Sequence, residues 1–176
     1  MSNICVRITN PMRANKNGHL VGEWVCLPIT QDELQAVLTE IGITDEHDQY
    51  IISESETENL DIPIAQYTNF SELNKLVARI DELATDDYAK LAAVLEWEAP
   101  TDLDAIYDII DRLDSYIFLP EVQDDTALGK YFANDCNMLH CTIERMKYYF
   151  DFYRYGRDLR YRLKMCYTSL GAIIRN

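Results

Sequence analysis

The sequence predicts an α+β protein made of three small units. Three observations carry this. Short β-prone runs dominate the first 60 residues, apolar residues at helical spacing dominate residues 71–113, and a strand-and-helix mixture follows Tyr116. The units are a β-β-α-β unit over residues 1–66, a helical acidic unit over 67–115, and an α+β unit over 116–176 with a short antiparallel sheet. With 176 residues, 48% hydrophobic and 11% aromatic, the chain can bury a core.

Ile4–Thr9 (ICVRIT) reads as a strand, and residues 10–18 (NPMRANKNG) as turn. His19–Pro28 is a second strand, closed by Pro28. Thr30 and Glu33 form a capping-box pattern. The helix they open carries Leu34, Val37, Leu38 and Ile41 on one side and stops at Gly42. Tyr50–Ile52 is the third strand. The polar run 54–63 (ESETENLDIP) then leads to a boundary near Ala65–Thr68.

Ser71 is expected to cap a helix with Leu73, Leu76, Val77, Ile80 and Leu83 on its inner face. A second helix starts at Thr85, and a third follows Pro100–Thr101. This third helix sets Leu103, Ile106, Ile109, Ile110 and Leu113 against Asp104, Asp108 and Asp111 on the opposite side, with Asp114 at the flank. Ser115–Leu119 is strand-like, residues 126–134 and 138–150 are helical candidates, and residues 160–176 form a terminal hairpin turning near Ser169–Gly171.

The net charge of −14 is unevenly placed. Residues 32–125 hold 25 acids against four bases, a net of −21, whereas residues 1–31 and 126–176 are net positive. A soluble surface ordinarily mixes signs. Such a block repels nucleic acid and anionic lipid and attracts a basic partner. Like charges one helical turn apart cost about 0.2–0.5 kcal/mol per pair. Burying each large apolar side chain returns about 1.5–3 kcal/mol, so the acidic helices survive their own repulsion.

Several classes of function find no support. There is no nucleotide-binding glycine loop, nucleophile elbow or H-E-x-x-H zinc motif. Cys136, His140 and Cys141 lack a fourth ligand and zinc-like spacing. Asp45–Asp48 lacks the glycine and terminal Glu of a calcium loop. No metal or other cofactor is expected. Five cysteines without framework spacing predict reduced thiols, with Cys5, Cys26 and Cys166 as small buried hydrophobes. No apolar run reaches the ~18 residues of a membrane helix. The start MSNICVRITN lacks a signal-peptide pattern, so a cytoplasmic location is expected. The tract 147–162 (KYYFDFYRYGRDLRYR) mixes aromatics with Arg154, Arg157, Arg160 and Arg162, a composition that favours structural or subunit contacts.

Three stretches together resemble the ArdA-type antirestriction proteins of mobile genetic elements: residues 18–29 (GHLVGEWVCLPI), 67–76 (YTNFSELNKL) and 155–159 (YGRDL). They occur in family order, and the resemblance covers nearly the whole chain. It implies a non-enzymatic, elongated protein, usually a homodimer joined through its C-terminal parts. It also implies a surface that mimics bent B-form DNA and occupies the DNA-binding groove of type I restriction–modification enzymes, at their methyltransferase–specificity core, without binding nucleic acid or membrane. Residues 124–135, where the family places its antirestriction-associated tract, contain Lys130 and few acids, and residues 160–164 (RYRLK) are more basic than the pattern.

On this reading the partner-facing acids are Glu54, Glu56, Glu58, Asp61, Glu72, Asp81, Glu82, Asp86, Asp87, Glu96, Glu98, Asp104, Asp108, Asp111, Asp114, Glu121, Asp124 and Asp125. Tyr131, Phe132, Tyr153, Tyr155 and Arg157 are the expected dimer contacts. Two rivals stand beside it: an acidic adaptor or inhibitor of another basic DNA-binding protein, and a small enzyme using a carboxylate pair.

Overall fold

A computed structural model describes residues 4–44, 49–135 and 150–176. The expected helix over 138–150, and the segments holding Asp45–Asp48 and the Cys136–Cys141 group, lie almost wholly outside the described residues. The described chain is mixed α+β, with six α-helices and two three-stranded antiparallel sheets. It divides into two compact units, residues 4–84 with 100–107, and residues 85–99 with 108–176.

In the first unit β1 (Ile4–Ala14) lies between β2 (Leu20–Leu27) and β3 (Ile51–Thr57). Strand alternation sends Ile4, Val6 and Ile8 inward, where each is fully buried, and the register puts Val25 and Leu27 on the same side. β1 runs on through residues read as turn, and the turn itself is confined to Asn15–Gly18. Asn10 makes this possible. It is buried at the register shift, where its side-chain amide donates to the Ile41 carbonyl (3.2 Å) and its oxygen accepts from Met12 N–H (2.9 Å).

Helix α1 (Gln31–Glu40) begins with the expected capping box. Thr30 Oγ1 accepts from Glu33 N–H, and the Glu33 carboxylate accepts from Thr30 N–H at 2.7 Å. The Thr30 hydroxyl also donates to that carboxylate (2.8 Å), and the backbone bond first and the hydroxyl second hold the Glu33 carboxyl below its ordinary pKa. Gly42 follows at φ +82°, the left-handed stop the sequence predicts. β3 extends through Thr57, into the run 54–63 read from sequence as a polar stretch leading to a boundary. It is an edge strand, which carries charge comfortably.

Helix α2 (Phe70–Asp81) is capped by Asn69 rather than Ser71: the Asn69 oxygen accepts from Ser71 and Glu72 N–H. This cap lies one residue before Phe70, whose side chain is buried and edge-on to Tyr50. Asn74 ties α2 to the end of β2, giving and receiving hydrogen bonds with the Ile29 backbone at 2.9 and 2.8 Å.

The second unit holds α3 (Thr85–Glu98), the second half of α4 (Leu103–Asp111), β4 (Tyr116–Leu119), α5 (Asp125–Asp135), α6 (Phe152–Arg162), β5 (Met165–Thr168) and β6 (Gly171–Arg175). The predicted terminal hairpin forms, and its central strand β6 pairs with β4 and β5. Ala172, Ile173 and Ile174 are all buried, because both sheet faces are covered. Ala172 and Ile174 meet Leu128 and Leu159 on one side, while α3 approaches the sheet with Leu91–Leu95 buried.

Helices α5 and α6 approach backbone to backbone through two glycines. A Cβ at Gly156 would stand 1.7 Å from the Asp125 carbonyl oxygen, and one at Gly129 would stand 2.0 Å from that of Phe152. Gly156 is the glycine of the YGRDL stretch, so that stretch has a packing reason for its composition. The Gly156→Ala protein is expected to lose at least about 1–3 kcal/mol by overpacking. A urea titration checks this as a fallen midpoint at unchanged slope.

Candidate acidic interaction surface

The acids divide into those that face water and those the fold consumes. In the first unit Glu54 and Glu56 lie on β3, Glu58 and Asp61 just beyond it, Glu72 in the first turn of α2, and Glu82 at its end; all are exposed, and Asp81 is half-buried. Glu54 is paired with Arg7 at 2.8 Å. Asp102 receives Ala105 N–H at 2.9 Å and so starts α4. A cleft of about 370 Å³ is lined by Glu72, Asp102, Asp104 and Tyr67. The Tyr67 ring is 80% exposed.

On α4 the face opposite the buried Leu103, Ile106, Ile109 and Ile110 carries Asp104, Asp108 and Asp111, all exposed. In the second unit Asp86, Asp114, Glu121 and Asp124 are exposed as well. Asp87 lies 3.3 Å from Lys90. Asp124 is a helix cap, its carboxylate accepting from Ala127 N–H at 2.8 Å. Glu96 accepts from the backbone N–H and hydroxyl of Ser169 and fixes the β5–β6 turn.

Two acids turn inward. Glu98 is half-buried and binds Arg112 (2.5 Å), Arg175 (3.3 Å) and the Tyr116 hydroxyl. Asp125 is only 7% exposed, accepts from the Tyr167 hydroxyl at 2.8 Å, and lies 3.5 Å from Arg160 Nε. Burial, reinforced by these carboxylates, raises the phenol pKa of Tyr116 and of Tyr167, so both remain hydrogen-bond donors. The internal roles of Glu98 and Asp125 were invisible in sequence, since nothing near them in the chain announces Tyr116 or Tyr167.

Among the residues expected at a dimer contact, Tyr131 and Tyr153 are exposed. Phe132 packs against the core of the second unit. Tyr155 meets the Phe150 ring at 5.3 Å, and Arg157 lies 3.7 Å from Asp158. Cys5 and Cys26, expected as reduced buried thiols, are instead joined by a disulfide; the antiparallel register sets them directly opposite, and Cys26 is exposed. Sequence reasoning also passed over Trp24, which is 43% exposed although its strand neighbour Val25 is buried. Alternation along β2 was the available signal. Among the described residues no group of three His, Cys, Asp or Glu side chains is arranged to hold a metal, and no helix is long and apolar enough to cross a membrane.

The Tyr167–Asp125 bond generates a prediction with a definite pH sign. The folded protein holds the Tyr167 proton to higher pH than the unfolded chain, where tyrosine titrates near 10. The stability this donor contributes is therefore complete below about pH 10 and declines as pH rises further. Tyr167→Phe is expected to cost about 1–3 kcal/mol at neutral pH, because it strips a donor from a buried carboxylate. Urea unfolding of both proteins at neutral pH and near pH 11 should show the gap narrowing.

A protein-family model described as antirestriction protein (ArdA) matches residues 10–173. A search of curated proteins found no match to the chain. The family match spans nearly the entire sequence, and the chain belongs to the ArdA family of antirestriction proteins, non-enzymatic inhibitors whose targets are type I restriction enzymes.

Proposed function

We propose that this antirestriction protein acts by imitating B-form DNA. Its exposed carboxylates compete with the duplex for the DNA-binding groove of a type I restriction–modification enzyme, at the methyltransferase–specificity core. The observation that carries this reading is the distribution of the exposed acids. They occur on a strand edge, on helices and at helix starts, in a block of net −21, while the inward sides of the same elements are apolar.

The spacing supports mimicry. Carboxylates one helical turn apart lie about 5–6 Å from each other, and alternate residues of a strand about 6.6 Å. Phosphates recur every ~3.4 Å of axis along one DNA strand. The arrays are of comparable density. Charge steering of this kind speeds encounter and is weakened by salt. Glu98 and Asp125, whose carboxylates are bound within the fold, contribute little to the outward array; the exposed acids carry it. An acidic adaptor for a different basic protein would meet the same charge requirement, and family membership favours the restriction enzyme. Pairing of two copies through exposed C-terminal aromatics such as Tyr153 and Tyr131, and action in the cytoplasm, where such enzymes meet incoming DNA, complete the proposal.

A competition assay tests it. The protein is titrated into a purified type I methyltransferase–specificity complex holding its labelled target duplex, over a range of salt. Displacement at low salt that weakens as salt rises is expected. Each exposed charge contributes about 0–1 kcal/mol. A single Asp→Asn change at 104, 108 or 111 should therefore alter the half-displacement concentration by less than about fivefold. The triple variant should alter it by several-fold to about a hundredfold. One such single change abolishing displacement would rule out distributed mimicry.

A further inference from the structure

We infer that the outward face of the first unit's sheet docks a guanidinium-bearing basic surface of the target protein, with Trp24 as anchor and Glu54 and Glu56 as its charged flank. The inference deepens the DNA-mimicry reading and rests on it.

The face is built by register. Opposite the buried Ile4, Val6 and Ile8, β1 turns Cys5 and Arg7 outward. Arg7 pairs with Trp24 on β2 and with Glu54 on β3, so the three form one row across the sheet. The next row is Cys26, Cys5 and Glu56, locked on one side by the cross-strand disulfide. Trp24 is 43% exposed, although tryptophan is on average a well-buried residue. Leu20, also outward on β2, is 40% exposed.

Among the described residues no aromatic ring or cation is stacked on the uncovered indole. Arg7 is its cross-strand neighbour and the natural cation to lie over the ring. Its guanidinium is held elsewhere, by Glu54 Oε1 at 2.8 Å and by the Leu20 carbonyl at 3.5 Å. Among the described residues no arginine or lysine covers Trp24, whereas Tyr107, Tyr116 and Tyr161 each have an arginine 5.4–5.8 Å from the ring centre. An indole face is the strongest aromatic acceptor for a cation. Glu54 and Glu56 stand two strands away on the same face, across Arg7 and Cys5, so a basic surface that lays one guanidinium on the ring brings its neighbouring cations over these carboxylates. Tryptophan and arginine are also the residues that dominate binding where they are enclosed at an interface. A phosphate-like array attracts any basic groove in many orientations. The indole adds a contact that fixes one.

The experiment separates charge from anchor by their salt dependence. The displacement assay is run over a salt series with the wild type, Trp24→Ala, Trp24→Phe and the double variant Glu54→Gln/Glu56→Gln. Thermal unfolding serves as the control for folding, and light scattering gives the mass. The ring carries no net charge, so Trp24→Ala is expected to raise the half-displacement concentration about tenfold or more at every salt concentration, with the slope against log salt unchanged. Trp24→Phe, which keeps an aromatic ring, is expected to lose less. The double Glu variant is expected to flatten the slope. A wild type that displaces DNA while Trp24→Ala displaces it equally well at all salts overturns the anchor and leaves the mimicry reading standing. A wild type that displaces nothing overturns both. A halved mass for Trp24→Ala alone assigns the face to a second copy of the chain and overturns the docking assignment.

Discussion

Every carboxylate of the acidic block must either stay in water or find compensation inside, and both units are arranged around that constraint. α4 is only nine residues long, below the length at which a helix holds by itself. Its persistence depends on burying Leu103, Ile106, Ile109 and Ile110. At about 1.5–3 kcal/mol for each large side chain, this burial exceeds several-fold the few tenths lost per like-charge pair on its outer side. β3 solves the same problem with a period of two and with its place at the sheet edge. The repulsion is distributed over elements whose inward sides hold them in place.

The two inward acids show the other solution. A buried carboxylate is costly unless it is paired and hydrogen-bonded. Glu98 meets two guanidiniums and a phenol, and Asp125 meets one of each. Three of the four partners of Glu98 and Asp125 that lie after Ser115 are Tyr167, Arg160 and Arg175, near the C-terminus. The basic character of that end is thus partly internal compensation, since Arg160 and Arg175 answer acids of the same unit. Glu98 and Asp125 together take up three guanidiniums, so the remaining surface is more acidic than the net charge of the chain implies.

What could be read from the sequence follows from the range of the interactions involved. The capping box at Thr30, the stop at Gly42, the apolar side of α4 and the terminal hairpin depend on neighbours within a few residues, and each is present. The continuation of β3 through Thr57 was hidden because an edge strand tolerates charge that normally signals a boundary. The Cys5–Cys26 bond, the ion pair of Glu54 with Arg7 and the burial of Asp125 depend on register or on partners more than forty residues away, or on both. Pattern-reading along the chain does not see such pairings. The outward acids as a class were legible from block charge; which of them the fold consumes was not.

The three stretches that mark the family mostly build the scaffold. Gly156 permits the approach of α5 to α6, Asn74 fastens α2 to the backbone of Ile29, Asn69 caps α2, Phe70 fills the core, and Val25 and Leu27 line the inner face of the sheet. This follows from the physics of a charge-based function. Packing positions admit few residue types, whereas an outward carboxylate acts through a screened field that many positions supply equally well. A distributed acidic surface therefore leaves its trace in composition and placement, and the short recognisable motifs record the frame that carries it. Trp24 stands apart because it lies within such a motif yet is 43% exposed on the outward face of the sheet.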